Sequence, residues 1–306
     1  MNRKNKLVSI IIPTFNHAKY VIEAINSVLN QTYQNFELII IDDGSTDNTK
    51  EVVNKIIAEN ADKKISYFYQ KNCGVSAARN KGIHEAKWEN ITFLDADDIF
   101  LDTFLEDMIF KINEGYDWVI CDNNLKRIDT QHGTYKNEFQ KRNIDFSDDI
   151  IKQMLISDRI GTPDRMLIKK GLIIENKICF NEKFACFEDW DFHIQLLCLS
   201  EKVGYVEKAL VVYRLRDDDS NATRIMKWDW LDYKYNFLKK WKHEFKKRNI
   251  LDSYSESMWD LARKHLRYTK SKVKVVRCIS ESLMTSFLPL KKTMGNIFRN
   301  KNLREM

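Results

Sequence analysis

The N-terminal part of the chain alternates between short, continuous apolar runs and stretches with helical spacing. The apolar runs, which predict strands, cover residues 7–12, 36–41, 65–69 and 91–94. The stretches with helical spacing, which predict helices, cover residues 21–29, 52–57 and 75–86. Continuous apolar strands separated by amphipathic helices indicate a mainly parallel sheet with helices on both faces. The fold class predicted for this region is therefore α/β.

The rest of the chain is less regular. Between residues 118 and 213 the pattern is mixed, with an expected hairpin around His132 and Gly133 and a helix starting near Glu188. From residue 226 onward the sequence is helical in character, and its apolar positions recur at spacings of four, three, three and four, on one helix face. These positions are Leu231, Tyr235, Leu238, Trp241 and Phe245. We therefore divide the chain into a domain at 1–225 and a helical extension at 226–306.

Three polar motifs follow predicted strands. They are Pro13-Thr14-Phe15-Asn16, Asp42-Asp43-Gly44-Ser45 and Asp95-Ala96-Asp97-Asp98. Because ligands of open α/β sheets bind beyond the carboxyl ends of the strands, we expect these motifs to converge on one site. Three carboxylates in four residues repel one another and suit Mg²⁺ or Mn²⁺ bound to substrate phosphates.

Each motif also has a purely structural interpretation. The aspartates at 95–98 could form a solvated acidic loop, with Asp98 capping the next helix. The motif at 42–45 could be a simple turn before a helix capped by Thr46 or Asp47.

Composition and charge add limits to this picture. With 306 residues, 43% of them hydrophobic, the chain can build a large core, but no apolar run approaches the length of a spanning helix. The six cysteines are scattered without metal-ligand spacing, so we expect reduced core thiols in a cytosolic protein. Residues 226–306 hold 20 Lys and Arg against 8 Asp and Glu, a balance of +12, which leaves −6 for residues 1–225.

Several motifs occur in a fixed order along residues 7–215 and together resemble the family-two glycosyltransferases of GT-A fold, of the bacterial surface-polysaccharide type. Their segments are residues 9–16, Gln31-Thr32-Tyr33, residues 36–47, residues 74–80, residues 93–98 and Phe187-Glu188-Asp189-Trp190-Asp191. The resemblance implies a Rossmann-like GT-A domain and an inverting transfer of a hexose or N-acetylhexosamine from a UDP-sugar. The acceptor would be a hydroxyl of a glycan or lipid-linked glycan in cell-surface polysaccharide biosynthesis.

The resemblance also implies roles for individual residues. Pro13, Thr14, Phe15 and Asp43 would bind the nucleoside, with Asp43 on the uracil edge, and Arg79 would lie near the base or the phosphates. Asp95 would approach the ribose, and Asp97 would bind Mn²⁺ or Mg²⁺ on the diphosphate. Asp189 would be the general base, since an acceptor hydroxyl must lose its proton as it attacks. The other interpretation of Glu188 and Asp189 is a pair of acidic residues in the first turn of a helix.

One departure from the family pattern lies after Tyr213. Many relatives carry a histidine two residues beyond the arginine at position 214, whereas this chain has Arg216, followed by three aspartates at 217–219. We expect Arg214 and Arg216 to clamp the diphosphate. Two alternatives remain open: an aspartate of 217–219 completes the metal shell, or the segment is an exposed charged loop.

Other classes of protein fit less well. A nucleotidyltransferase would normally carry a glycine-rich, basic loop near the N-terminus, and residues 13–17 are neither. A non-catalytic sugar-nucleotide-binding or scaffold protein would not need Asp43, Asp95, Asp97 and Asp189 together. Nucleic-acid binding leaves the acidic motifs unexplained. For the basic extension, the hypotheses are packing on the catalytic domain, peripheral contact with an anionic membrane, and homo-oligomerisation. The expected location is the cytoplasm, at the inner face of the plasma membrane.

Overall fold

The computed structural model describes residues 6–128, 135–141, 144–216 and 228–286. The strands are β1 (Val8–Thr14), β2 (Phe36–Asp42), β3 (Ile65–Tyr69), β4 (Asn90–Phe93), β5 (Ile99–Phe100), β6 (Trp118–Ile128), β7 (Tyr135–Gln140), β8 (Met166–Lys169) and β9 (Val203–Arg216). The helices are α1 (Ala18–Leu29), α2 (Thr49–Glu59), α3 (Val75–Glu85), α4 (Phe104–Ile112), α5 (Ile150–Ile156), α6 (Lys170–Glu175), α7 (Glu188–Leu199), α8 (Trp230–Lys247), α9 (Leu251–Lys264) and α10 (Lys272–Leu283). A 3₁₀ turn covers Pro163–Arg165, and a π-helical turn covers His265–Thr269.

The strands form one mixed, mainly parallel sheet in the order β3-β2-β1-β4-β8-β6-β9-β5, with β7 paired to β6. β1 pairs in parallel with β2 and β4, and β2 pairs in parallel with β3. β8 runs antiparallel between β4 and β6, while β6 pairs in parallel with β9. The predicted fold class is confirmed. β6 and β7 are antiparallel, but the turn expected around His132 and Gly133 lies outside the described residues.

The first strands form because they are buried along their whole length. Every residue of β1 and β2 is buried, and each strand consists largely of isoleucine, valine and leucine, as expected for strands covered on both faces. Helix α3 packs closely on β1 at Gly82, where an added Cβ would lie 2.3 Å from Cγ2 of Ile11. In the parallel register, Thr14 faces Asp42 and Ile11 faces Phe93. The polar motifs after these strands are thereby brought to the same edge of the sheet.

The contacts divide the chain into two compact units: residues 1–145 with 159–221, and residues 146–158 with 222–306. The first unit contains the sheet, and the second contains α5 and α8–α10. The helical C-terminal extension is confirmed, whereas its boundary at residue 226 stays a prediction. All five apolar positions predicted for one face of α8 are buried. In the described part of the chain, no helix is both long and apolar enough to cross a membrane.

The cysteines differ from the expectation of core thiols. Cys121 and Cys278 are buried, but Cys73, Cys179 and Cys198 are exposed. Cysteine is a residue type that is usually buried, and that tendency does not decide positions in loops or at helix ends. The expectation is therefore wrong for these three residues.

Candidate active site

The loops after β1 and β2 are held together by hydrogen bonds around Asn16. The backbone N–H of Asn16 donates to Oγ of Ser45 at 2.9 Å, and its side-chain Oδ1 accepts from the N–H of Thr46 at 2.8 Å. Asn16 adopts a positive φ of 54°, which asparagine tolerates better than most residues. The two strand-end motifs therefore form one continuous wall of the site.

Asp42 supports this wall from inside. Its carboxylate accepts from the N–H of Ser45 at 2.7 Å and from the Tyr67 hydroxyl at 2.6 Å, and it is fully buried. The turn interpretation thus describes Asp42 correctly. Gly44 has a φ of +85°, and a Cβ there would lie 2.7 Å from the backbone nitrogen of Asn72, so only glycine fits.

Asp43 faces a cleft of about 310 Å³ at the end of the strands. Its Oδ1 accepts from Nε2 of Gln70 at 2.7 Å and from the N–H of Cys73 at 2.9 Å, while its Oδ2 accepts from the N–H of Gly74 at 2.8 Å. A carboxylate offers about four acceptor positions, and the described residues fill three of those of Asp43, which leaves one for a ligand. The cleft is lined by Pro13, Thr14, Phe15, Asp43, Asn72, Gly74, Val75 and Ala78.

Phe15 offers an aromatic surface in this cleft. Its side chain is 42% exposed, which is unusual for a phenylalanine in the middle of a folded domain. The predicted nucleoside-binding residues Pro13, Thr14, Phe15 and Asp43 are therefore brought together in one cleft. Sequence reasoning missed Asn72, which lies in the loop after β3 and carries no pattern that marks it.

The three carboxylates of the acidic turn after β4 differ in their exposure to solvent. Asp95 and Asp97 are partly exposed, whereas Ala96 and Asp98 are buried. Oδ1 of Asp98 accepts from the backbone N–H of Arg214 at 2.9 Å. Helix α4 begins only at Phe104, so the interpretation of Asp98 as its cap is wrong. Asp98 instead joins the acidic turn to β9.

Asp98 also faces Asp164, a second buried carboxyl group from the 3₁₀ turn. Burial raises the pKa of Asp98 well above its usual range, and the neighbouring charge of Asp164 raises it further. Burial likewise raises the pKa of Asp164 to about 6. The two groups are close enough to hydrogen-bond when one of them holds a proton. Asp164 was missed because its position depends on the antiparallel strand β8, which the sequence pattern did not predict.

Arg79 of α3 links the acidic turn to the predicted base. Its Nη2 lies 2.8 Å from Oδ1 of Asp95, and its Nη1 lies 2.6 Å from Oδ1 of Asp189 and 3.5 Å from Oε1 of Glu188. The guanidinium is buried, and these carboxylates raise its pKa although burial lowers it. Phe187, with a φ of +67°, immediately precedes α7 and turns the chain so that Asp189 lies in its first turn. One guanidinium thus brings together carboxylates from the turn after β4 and from α7.

Arg214 is buried beside the acidic turn. Its Nε donates to the carbonyl of Asp97, its Nη1 lies 2.9 Å from Oε2 of Glu23, and the guanidinium lies 5.4 Å from the ring centre of Tyr20. Within the described residues its Nη2 is buried without a hydrogen-bond partner. Arg216 ends β9, but its side chain and residues 217–219 lie outside the described part, so the clamp on the diphosphate stays a prediction.

The residues present fit a divalent cation that is shared with a substrate. Asp97 is a partly exposed carboxylate. Burial raises the pKa of Tyr213, and the nearby carboxylates of Asp98, Asp95 and Asp97 raise it further, so these groups lie close together. Among the described residues, no cluster of three or more ligand side chains could hold a metal alone. Mg²⁺ is commonly bound by one or two carboxylates plus substrate phosphates, which is the arrangement that Asp97 permits.

A family model for Glycosyl transferase family 2 matches residues 9–175. The chain therefore belongs to glycosyl transferase family 2. It is 33% identical over 215 residues to the GalNAc(5)-diNAcBac-PP-undecaprenol beta-1,3-glucosyltransferase of Campylobacter jejuni, covering 70% of this chain and 66% of that one. In another relative, an uncharacterized glycosyltransferase of Rickettsia bellii, the matched part makes up only 29% of the length of that protein.

Solved structures support the fold. The structure of S. aureus TarS 1-349 in complex with UDP-GlcNAc superposes with a TM-score of 0.59 at 20% identity, covering 92% of this chain and 72% of that one. The mannosyltransferase PcManGT from Pyrobaculum calidifontis, in complex with GDP-Man and Mn²⁺, gives a TM-score of 0.60 at 15% identity, covering 94% and 78%. At these identities the likeness concerns the GT-A fold alone.

Proposed function

We propose that this glycosyltransferase moves a hexose or N-acetylhexosamine from a UDP-sugar to a hydroxyl of a glycan or lipid-linked glycan, with inversion at the anomeric carbon. One observation carries the proposal: the buried Arg79 holds Asp189 of α7 and Asp95 of the acidic turn on a single guanidinium. A proton acceptor thereby lies next to the turn that would hold the donor.

The cleft beside β1 and β2 is suited to a uridine. The exposed ring of Phe15 can pack against the base, and the remaining acceptor position of Asp43 can take a base N–H. Asp95, which accepts from Nη2 of Arg79 at 2.8 Å, would also accept from a ribose hydroxyl. We propose that Pro13 and Thr14 complete this nucleoside site.

The diphosphate would lie over the acidic turn. Asp97 would hold Mn²⁺ or Mg²⁺ there, and that ion would neutralise the charge that builds up on the leaving diphosphate. Arg214 would contribute through its buried guanidinium, whose Nη2 has no hydrogen-bond partner among the described residues. Arg216, two residues further along β9, is proposed as the second arm of this clamp.

Asp189 would act as the general base. As the acceptor oxygen forms its bond to the anomeric carbon, the bond from that carbon to the diphosphate oxygen breaks, and the hydroxyl proton passes to Asp189. A single displacement of this kind inverts the anomeric carbon. Arg79 would keep Asp189 ionised and oriented before the reaction, since its guanidinium donates to the carboxylate.

The class of acceptor is supported by relatives. The Campylobacter jejuni relative carries a name that describes a lipid-linked glycan substrate, GalNAc(5)-diNAcBac-PP-undecaprenol. We therefore propose a similar acceptor in a cell-surface polysaccharide pathway, with the reaction in the cytoplasm at the inner face of the membrane. Oligomerisation through the helical unit remains a separate hypothesis.

A release assay tests this proposal. UDP formation would be followed with a panel of UDP-sugars and a glycan acceptor, in Mn²⁺ and in EDTA. We expect release from one or two donors only, abolished by EDTA and by Asp97→Ala. Asp102→Asn is the matched control, because Asp102 is an exposed carboxylate just beyond the acidic turn. Release that is insensitive to EDTA and to Asp97→Ala would contradict the metal site.

A further inference from the structure

Helix α10 of the helical unit presents an apolar stripe on its exposed side. Val273 is 79% exposed, Val276 is 64% exposed, and Met284, which ends the helix, is 75% exposed. Their spacing of three and eight residues places them on one face. Lys272 and Arg277 are exposed beside them. Exposed apolar residues that are grouped and bordered by polar ones mark a site of interaction.

Val273, Val276 and Met284 are exposed because the opposite face of α10 packs against the rest of the helical unit. Cys278, Glu281 and Ser282 are buried on that face. Oε1 of Glu281 accepts from the Tyr254 hydroxyl at 2.9 Å, and Oγ of Ser282 lies 2.7 Å from Oγ of Ser255. The helix is thus anchored on α9 largely through polar contacts, and its most exposed apolar side chains face away from the core.

A basic cavity adjoins this stripe. It has a volume of about 510 Å³ and is lined by Lys239, Lys240, Lys242, His243, Lys246, Leu251, Met284 and Thr285, with no acidic residue among them. Met284 belongs both to the cavity and to the apolar stripe. Glu281 pairs with Lys239 at 2.8 Å and with Lys242 at 2.7 Å, but its side chain is only 6% exposed. The surface that a partner meets therefore carries positive charge.

We propose that this surface, the α10 face, docks on an anionic lipid bilayer. Val273, Val276 and Met284 would lie at the boundary between headgroups and acyl chains, and the lysines of the cavity would contact lipid phosphates. This combination of exposed aliphatic side chains with lysines is what an interfacial helix needs. A single-stranded nucleic acid would instead require aromatic surfaces for base stacking, and the stripe has none.

Two other possible partners of the α10 face are themselves positively charged and therefore complement it poorly. A second copy of the same face would bring its lysines against these lysines, which repel one another. The chain's own residues 287–306 hold five Lys and Arg and a single Glu, so that segment does not complement a basic cavity. An anionic surface is the complementary partner.

This inference deepens the proposed function, on which it rests for the presence of a lipid-linked acceptor. It fixes the membrane contact to one surface of the helical unit. The surface can be tested without turnover, because none of its residues belongs to the proposed catalytic site.

The test is flotation of the full chain with vesicles of phosphatidylcholine alone or of an equal mixture of phosphatidylcholine and phosphatidylglycerol. We expect binding only to the mixture, weakened by about tenfold or more in Lys240→Glu/Lys246→Glu. Val276→Ser/Met284→Ser should also reduce flotation, since it removes the inserted side chains. Lys50→Glu/Lys55→Glu, which makes the same change of charge on exposed positions of α2, is the control and should float like wild type.

Several outcomes would contradict the proposal that the α10 face docks on an anionic bilayer. They are equal flotation with both vesicles, flotation of the α10-face variants equal to that of the control, or binding of single-stranded DNA by a protein that does not float. UDP release in vesicle-free buffer is measured on the same samples. A protein that floats but does not release UDP would contradict the proposed reaction alone. A protein that releases UDP but does not float would contradict membrane docking by the α10 face alone.

Discussion

Replacement of Arg79 by glutamine should shift the pH dependence of the reaction. Arg79 is buried and lies 2.6 Å from Asp189 and 2.8 Å from Asp95 through its two terminal nitrogens. Because the guanidinium is always charged, it favours the ionised form of the Asp189 carboxylate that it contacts. Without it, Asp189 takes up a proton at higher pH, and the protonated form cannot act as a base. The acidic limb of the kcat/KM profile should therefore move to higher pH.

The size of the shift follows from the geometry. Two unit charges about 4 Å apart interact by about 4 kcal/mol at an effective dielectric constant of about 20, and one pH unit corresponds to about 1.4 kcal/mol. This sets a ceiling of about three pH units. The Asp189 side chain is 22% exposed, so solvent screens part of the interaction. We expect a shift of about one to two pH units.

The assay is UDP release as a function of pH for wild type, Arg79→Gln and Arg79→Lys. The lysine variant keeps the charge but lacks the planar guanidinium, whose two terminal nitrogens meet the two carboxylates in fixed directions, so its rate should fall while its acidic limb stays near that of wild type. Breaking a buried ion pair costs about 3–5 kcal/mol, and thermal unfolding must therefore show that each variant is folded. A folded Arg79→Gln protein with an unshifted limb would refute the assignment of Asp189 as the titrating base.

Three further predictions concern the loops and the helical unit. Asp43→Asn would turn an NH₂ group toward Nε2 of Gln70 or the N–H of Gly74, which now donate to carboxylate oxygens. It should therefore abolish UDP binding in a calorimetric titration and lower the Tm. Full UDP affinity would exclude Asp43 from the nucleoside site. Gly44→Ala should destabilise the protein by about 1–3 kcal/mol in urea unfolding, since its φ is +85° and its Cβ would meet Asn72; an unchanged midpoint would contradict this. Burial raises the pKa of Glu281, but hydrogen bonds from Lys239, Lys242 and Tyr254 lower it to about 2. Ionised Glu281 should therefore stabilise the helical unit above pH 4.5, and this contribution should be lost as the pH falls toward 2. Glu281→Gln should remove about 2 kcal/mol at neutral pH, and acid unfolding that is identical in the two proteins would contradict the ion pairs.

Strands β1, β2 and β4 follow from the sequence because they are buried along their whole length. Residues 65–69 were predicted as a strand, and β3 spans Ile65–Tyr69; helix α7 begins at Glu188, as expected. β3 is only partly buried, and its isoleucine and aromatic residues mark it as a strand. The polar motifs converge because parallel strands end at one edge of the sheet.

The central strands could not be predicted in the same way. β6 pairs with β8 and β9, and its register with β9 shifts after Cys121 and again after Asp122. Such pairings join segments far apart in the chain, and no local pattern specifies them. For the same reason Asp164 was missed, and the position of Arg79 between Asp95 and Asp189 became visible only in three dimensions. The family resemblance identified these residues individually but not their contacts.

The rate of UDP release by Asp189→Asn at saturating donor shows whether Asp189 is the general base of the reaction. Asparagine retains an oxygen that can accept from Arg79, so the fold and donor binding should be preserved. We expect unchanged donor affinity and a release rate lower by about 100- to 10,000-fold, the usual contribution of a general base. An Asp189→Asn protein that releases UDP at the wild-type rate would contradict the assignment of the base and with it the proposed displacement.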